Sequence, residues 1–445
     1  MMRITLIWPN MGYLKIENQV QKFSDEAGME PLPLAVIASL FPDDFEIDLI
    51  DDRFEAIPYD TPTDLVCISI EIFTARRGYE IADGYRKREV KVLIGGMHAS
   101  LMPSETRLHA DSILIGDAEP VFHNLVNDLR NSNLQPVYKS GVSNQIPGVF
   151  PRRDLYRKLP YLPFMLLQFG RGCPYSCNFC AISACFRQTH TTRPVSDVVR
   201  EIERDGRKLL FFVDDNIIAN PKAAKELFRA LIPLRIKWMG QASIDMALDD
   251  ELLDLMNKSG CMGHVIGFES ISAEGLQSMN KQVNLKGFDS YSSAIQNLYK
   301  HGIQIWAALV IGSDTDTPQS LKETLQFCHH HKFAFGAFNI LMPYPGTPFF
   351  DQLKQQNRLL FDNQWWLHPD YTFNQAAFVP RHFTPEGLTN ACQQMKNEYN
   401  SYGSIIRRVI KAATTRKTLS SAAFLMRYGY LFRTETHKKK YLKLG

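Results

Sequence analysis

The chain has 445 residues, 45% of them hydrophobic and 22% charged, with a formal net charge of +3. That length supports two or three domains with large cores, and so small a charge predicts no nucleic-acid partner. No apolar run approaches the ~18 residues of a membrane span, and Met1-Met2-Arg3-Ile4 leads into an apolar strand rather than a signal peptide, which predicts a cytoplasmic protein.

Residues 3–8 read as a short strand ending at Pro9-Asn10, and Leu32 to Leu40 carries a helical pattern. Apolar runs follow at Phe45–Ile50, Leu65–Ile70, Val90–Ile94 and Ser112–Ile115, with helical patterns at Thr74–Tyr85 and Glu119–Leu129. Alternating short buried strands and helices predict an α/β, doubly wound, Rossmann-like domain over residues 1–130. Such a sheet binds its ligand outside the carboxyl ends of its strands. The loops at those ends are Pro9-Asn10, Glu71 to Thr74, Gly95-Gly96-Met97-His98-Ala99 and Gly116-Asp117-Ala118-Glu119. Paired glycines there let the backbone approach a bulky planar or anionic ligand. Residues 131–160, punctuated by Pro136, Pro147, Pro151 and Pro160, read as an interdomain linker.

From Phe164 the alternation restarts. Apolar runs at Met165–Phe169, Leu209–Val213, Trp238–Ala242, His264–Phe268, Ile303–Ile311 and Phe335–Ile340 give six β/α units, a partial barrel over residues 161–350. In barrels the chemistry sits at strand carboxyl ends. Cys173-Pro-Tyr-Ser-Cys177-Asn-Phe-Cys180 follows the first strand, Asp214-Asp215-Asn216 the second, Gln241 and Ser243 the third, Glu269-Ser270 the fourth and Gly312-Ser313-Asp314 the fifth. Three soft thiolates within eight residues select an iron–sulfur cluster, Cu(I) or zinc, and no second Cys/His pair lies nearby to complete a structural zinc site. A four-iron cube needs four ligands, so three cysteines leave one iron open. Cys185 keeps a complete four-cysteine cluster in play. Cys67, Cys261, Cys328 and Cys392 are scattered singly, which excludes a disulfide framework and indicates a reducing compartment.

Residues 351–445 read as an accessory region. Trp365, Trp366, Tyr371, Phe373 and Phe378 would either cover the barrel opening and line a substrate pocket or form a structural apron. Thr384-Pro385-Glu386-Gly387 marks a helix start. From Ser401 onward there are eleven Lys/Arg against the single Glu435, a basic helical tail that either contacts anionic lipid or is simply solvated.

The cysteine loop resembles that of the radical SAM superfamily. The resemblance implies a [4Fe-4S] cluster on Cys173, Cys177 and Cys180 whose open iron is chelated by S-adenosylmethionine. It puts Phe179 against the adenine, Asp214 on the methionine amino group, Glu269 with Ser270 on the ribose hydroxyls, Gly312 against adenine and Gln241 at the same mouth. The Gly-Gly-x-His-Ala loop and the Gly-Asp-x-Glu turn resemble the cobalamin-binding domain that precedes the barrel in one subgroup. This implies cobalamin contacts from Pro9, Asn10, Thr74, Gly95, Gly96, His98, Gly116 and Glu119. The chain lacks the Asp-x-His-x-x-Gly motif that supplies a cobalt-ligating histidine in some cobalamin proteins. His98 is the substitute to weigh against a lower face left to water or another side chain. The implied reaction is methylation of an unactivated carbon of a lipid-like or natural-product small molecule through a 5′-deoxyadenosyl radical, with a flavodoxin- or ferredoxin-type reductant. Cyclisation, ring contraction or carbon–carbon coupling with the same parts is a second outcome, and a non-catalytic cobalamin and iron–sulfur sensor is a third.

Overall fold

The computed structural model describes residues 1–16, 19–22, 28–140, 148–156, 159–286, 291–416, 419–439 and 442–445; Pro147, in the expected linker, lies outside them. The chain divides into two compact units. The first comprises Met1–Leu162 with Gln364–Phe373 and Tyr441–Gly445, and the second comprises Pro163–Asn363 with Asn374–Lys440.

The first unit is a six-stranded parallel sheet in the spatial order Phe45–Asp51, Met2–Trp8, Leu65–Ser69, Lys91–Gly95, Ser112–Ile115, Val137–Lys139. Order 2-1-3-4-5-6 reverses direction between the first and third strands, the switch point at which doubly wound sheets open a ligand crevice. The four inner strands carry runs of consecutive buried residues, as a parallel sheet covered by helices requires, whereas edge strand Phe45–Asp51 leaves Glu46 exposed. Ile4, Leu6, Leu65, Cys67, Leu93 and Leu114 face one core with Leu34 and Ala38 of helix Leu32–Leu40 and with Phe122, Leu125 and Leu129 of helix Phe122–Arg130. Helix Ala75–Arg86 packs on strands Leu65–Ser69 and Lys91–Gly95.

The expected linker is partly sheet. Val137–Lys139 pairs in parallel with the strand at Ser112. Further along, Leu155 and Tyr156 pack on the same core, and Tyr161 donates to Asp51 at 3.0 Å. A three-residue strand directly after a proline carries too little periodicity to stand out in sequence.

Two distant segments also complete this unit. Trp365, Trp366 and Tyr371 are buried against Phe73 and one another, so these three rings are core, the apron of the two expected roles. The tail strand Lys443–Leu444 pairs antiparallel with Gly12–Ile16, and Phe373 donates its N–H to the Leu442 carbonyl.

The second unit is a six-stranded all-parallel open sheet in sequence order: Met165–Leu167, Leu209–Phe212, Lys237–Ala242, Cys261–Glu269, Gln304–Ile311, Phe335–Ile340. Helices alternate with the strands as the six-unit reading expects. Phe432 of helix Leu419–Lys438 packs edge-on to Trp306 and tilted on Phe335, while Tyr428 of that helix meets Phe164. Phe164 precedes the first strand and Phe335 opens the sixth, so one helix touches the amino-terminal ends of both edge strands. Helix Pro385–Tyr399 starts where its Thr-Pro signal predicts, with the Thr384 hydroxyl accepting the Gly387 N–H.

Candidate active site

The cysteine loop leaves the first strand of the second unit through a two-stranded antiparallel ribbon, Gly170–Gly172 against His190–Thr192. Two neighbouring acids clamp the ribbon's base. Asp214, fully buried, accepts backbone N–H groups from Phe169 and Gly170, and Asp215 accepts that of Gly172 at 2.8 Å. Burial pushes the Asp214 carboxyl up to about 7 and raises Asp215 as well. Asp214 thus braces the loop's own backbone with one bond to each carboxylate oxygen, and each oxygen keeps a further lone pair for the methionine amino group that the resemblance implies.

Within the loop Cys177 is buried, while Cys173, Cys180 and Cys185 are partly exposed; Cys185 lies in the short helix Ala181–Phe186. Burial pushes the Cys177 thiol up to about 11 and raises Cys173, and the thiols of Cys173, Cys177 and Cys180 interact electrostatically. Among the described residues no three Cys, His, Asp or Glu side chains converge as ligands of a single ion would. Cube ligands each take a different iron, so three thiols on one braced loop fit three corners of a cluster. Phe179, directly before Cys180, is partly exposed in the same loop.

Several contacts fix the loop in place. The Asn178 N–H donates to the Met279 carbonyl at 3.1 Å and its side-chain amide to Ser278 at 2.7 Å. Asn280 reaches back to the carbonyl and hydroxyl of Ser176 at 2.8 and 3.0 Å. Phe349, at the start of helix Pro348–Gln355, donates its N–H to the Asn178 carbonyl, so the turn Pro345-Gly346-Thr347-Pro348 that precedes it helps to brace the loop. The Tyr175 hydroxyl donates to Asp245 at 3.0 Å, and burial beside that carboxylate pushes the phenol up to about 12.

At the strand ends, Asn216 bonds the Ser243 hydroxyl and N–H at 3.0 and 3.3 Å, tying the second strand's loop to the third's. Gln241 is partly exposed at the third strand's end, and its carbonyl accepts from Ile217. Glu269 sits at φ +60°, where strand register slips between Gly267 and Glu269. A left-handed non-glycine residue at a strand end is sparsely populated backbone of the kind that clusters at functional sites. Its carboxylate meets the Lys281 ammonium at 3.0 Å, with side chains only 11% and 14% exposed. A Cβ at Gly267 would lie 2.3 Å from the Glu269 Oε1, so any larger residue there would displace that carboxylate. Lys281 also interacts with the thiols of Cys173, Cys177 and Cys180. Burial works against its charge, and Glu269 and the thiols hold it above the usual lysine range. Nothing in the sequence reading singled it out. Ser270 is buried and caps the following turn by accepting the Ser272 N–H. Gly312, at φ +101°, donates its N–H to Asp316 at 2.8 Å.

The loops of the first unit are built largely from backbone. Pro9 and Asn10 are buried; the Asn10 N–H donates to Asp52 at 3.0 Å and its side-chain oxygen accepts from Gly12. The Asn10 side-chain nitrogen is buried without a partner among the described residues. Thr74 caps its own turn, accepting the Glu71 N–H at 2.9 Å. Gly96 at φ +102° lies so close under Ile70 that a Cβ would fall 2.4 Å from the Ile70 carbonyl oxygen, whereas a Cβ on Gly95 would make only ordinary contact with Leu114 at 3.6 Å. Gly116, exposed at φ +83°, donates to the Ser100 hydroxyl, and Glu119 is partly exposed. Between buried Ile70 and Ile72, Glu71 is exposed at the switch point. Bare backbone with glycines and few side chains fits a broad flat ligand such as a corrin.

His98 does not fit as a cobalt ligand. Its side chain is fully enclosed, with one ring nitrogen on Glu105 at 2.8 Å and the other buried. Glu105 also accepts from Tyr79 at 2.9 Å and Trp366 at 3.2 Å. Burial alone would raise this carboxyl, but the bonds from His98, Tyr79 and Trp366 outweigh it and hold the group below the usual range. The ring thus joins the Gly-Gly loop to the distant Trp366.

Residues 167–328 match the family model of the radical SAM superfamily. The chain is 30% identical over 397 residues to the bacteriochlorophyllide d C-12(1)-methyltransferase of Chlorobaculum tepidum, spanning 85% of this chain and 84% of that protein. It is 25% identical to the hopanoid C-2 methylase of Rhodopseudomonas palustris, over 81% of this chain and 72% of that protein. In fold it resembles the radical S-adenosylmethionine methyltransferase TsrM from Kitasatospora setae, solved with cobalamin and a [4Fe-4S] cluster. The TM-score is 0.62 at 17% identity, over 80% of this chain and 75% of that one. The chain belongs to the radical SAM superfamily and is an enzyme of its methyltransferase family.

Proposed function

We propose that this enzyme methylates an unactivated carbon of a hydrophobic, polycyclic or otherwise lipid-like small molecule, using S-adenosylmethionine, a [4Fe-4S] cluster and cobalamin. The observation that carries the reading is the three-thiol loop, pinned from four sides, in a chain whose other unit presents glycine-lined loops at a sheet switch point. Relatives with names for bacteriochlorophyllide and hopanoid methylation support the substrate class.

An unactivated C–H bond has no acid–base route at neutral pH. The cluster and cobalamin, when bound, supply one-electron cleavage of S-adenosylmethionine and carriage of a methyl group. Cys173, Cys177 and Cys180 would hold the cluster, and Asp214, Asp215 and the Ser278 to Asn280 turn keep their backbone from shifting. Glu269, fixed at the fourth strand's end, presents acceptor oxygens for ribose hydroxyls. Gly95, Gly116 and their loops would bear the corrin, while the His98 imidazole is engaged by Glu105. A flavodoxin- or ferredoxin-type protein would deliver the electron.

The tail supports contact with a membrane surface, where such substrates reside. Tyr402, Ile406 and Ile410 recur every four residues on helix Tyr402–Arg416 and are exposed, as are Met426 and Tyr430 on the next helix. Arg407 and Arg427 flank them. That pattern suits an anionic lipid interface, and no helix among the described residues is long and apolar enough to cross a membrane.

The test is anaerobic turnover with S-adenosylmethionine, reduced flavodoxin, cobalamin and hydrophobic metabolites that accumulate in a strain lacking the gene. Formation of S-adenosylhomocysteine and 5′-deoxyadenosine with a product heavier by one methylene is expected. Deoxyadenosine with no homocysteine product would replace methylation by rearrangement or coupling.

A further inference from the structure

Lys281 lies on a turn fastened to the cluster loop on both sides of Cys177. Asn280, its neighbour, bonds Ser176 twice, and Met279 and Ser278 take both amide donors of Asn178. Asn280 itself adopts φ +51°, a conformation asparagine tolerates better than most residues. The ammonium is thereby held between the Glu269 carboxylate, at 3.0 Å, and the thiol-bearing loop. With the pair almost fully enclosed, water screens this charge poorly.

A buried ion pair costs desolvation that hydrophobic residues would not. The position of this one gives it a purpose beyond stability. A cluster on three thiolates carries net negative charge and must accept another electron before S-adenosylmethionine can be cleaved. Cluster potentials respond to nearby charge and exposure. A fixed cation beside the loop eases that electron's entry, and the carboxylate beyond it partly cancels the effect.

We propose that Lys281 is a positioning residue that raises the reduction potential of the cluster and holds Glu269 in its strained conformation, the two charges acting on the cluster in opposite directions. The step is one electron from an external low-potential reductant onto the cluster, with no bond made or broken. This rests on the cluster and not on the substrate or the methyl transfer proposed above.

The experiment is an EPR-monitored redox titration of the reconstituted enzyme without S-adenosylmethionine, so that failure of the substrate proposal leaves it intact. Lys281→Met should make reduction at least tenfold less favourable, about 59 mV for one electron, while Lys281→Arg stays within about twofold, ~18 mV on the same scale. Glu269→Gln should shift the potential the other way. Equal potentials in all three, or a downward shift in Glu269→Gln, would overturn the proposal. If Lys281→Met takes up no iron, the opposite shift in Glu269→Gln still decides: an upward shift supports the proposal, and none refutes it.

Discussion

The two sheets of this enzyme are alike in strand number and in being wholly parallel, yet their carboxyl ends are finished in opposite ways. The second unit ends in side chains: three thiols, a buried and a half-buried aspartate, and a glutamate paired with a lysine. The first ends in backbone and glycine, with His98 turned away into the protein and Thr74 spent on its own turn. A small cluster needs a few ligand atoms held in place. A wide planar cofactor needs an even surface, and protruding side chains would only obstruct it. The means of bracing differ too. Asp214, Asp215 and the turn at Asn280 brace the cysteine loop from within its own unit, while the first unit draws on Trp366 and the strand at Lys443 from far along the chain.

The most severe break of this comparison is Cys177→Ala. Iron content and deoxyadenosine formation should fall to background while cobalamin absorbance is retained; loss of both cofactors would show the units to be interdependent. Cys185→Ala in parallel should keep the iron, and its loss would restore the four-cysteine cluster. Next is Trp366→Ala, which deletes a buried indole and one donor to Glu105. It should destabilise the first unit by ~3–5 kcal/mol and weaken cobalamin retention, with iron content unchanged. Equal damage to both cofactors in this variant would contradict the division of labour.

Asp214 sharpens the contrast through pH. Its carboxyl titrates near 7 in the folded chain, against ~3.9 unfolded. Between those values the folded protein keeps a proton that the unfolded chain has released, so stability falls as pH rises through that window. Denaturant melts of the cluster-free protein at pH ~4.5 and ~7 should show the decline, and Asp214→Asn should flatten it. The smallest effect belongs to His98→Gln. The Co(II) EPR spectrum of the cobalamin-loaded enzyme should be unchanged, and nitrogen hyperfine structure present in the parent and lost in the variant would make His98 a ligand after all.

The legible parts of the molecule are those where physics acts locally. Parallel strands buried on both faces appear as unbroken apolar runs, so Leu65–Ser69 or Phe335–Ile340 could be placed within a residue or two. The cysteine loop was readable because its ligands are adjacent in sequence. What stayed hidden depends on encounters between distant residues. Val137–Lys139 is too short for a period and gains its identity only by pairing with the strand at Ser112. That Asp214 also braces the backbone at Phe169 and Gly170 could not be read from sequence, because those partners lie 45 and 44 residues away. Lys281 is one lysine among many until the fold puts it beside Glu269.

The pairing of Lys443 and Leu444 with Tyr13 and Gly12 has a consequence for biosynthesis. The first strands leave the ribosome early, but this partner follows more than 400 residues later. At ~5–20 residues per second, the edge at Gly12 waits roughly 20–90 s for its complement. During that interval the cell must shield an open strand edge from other chains, so this enzyme's yield should depend on chaperones more than its buried core would suggest.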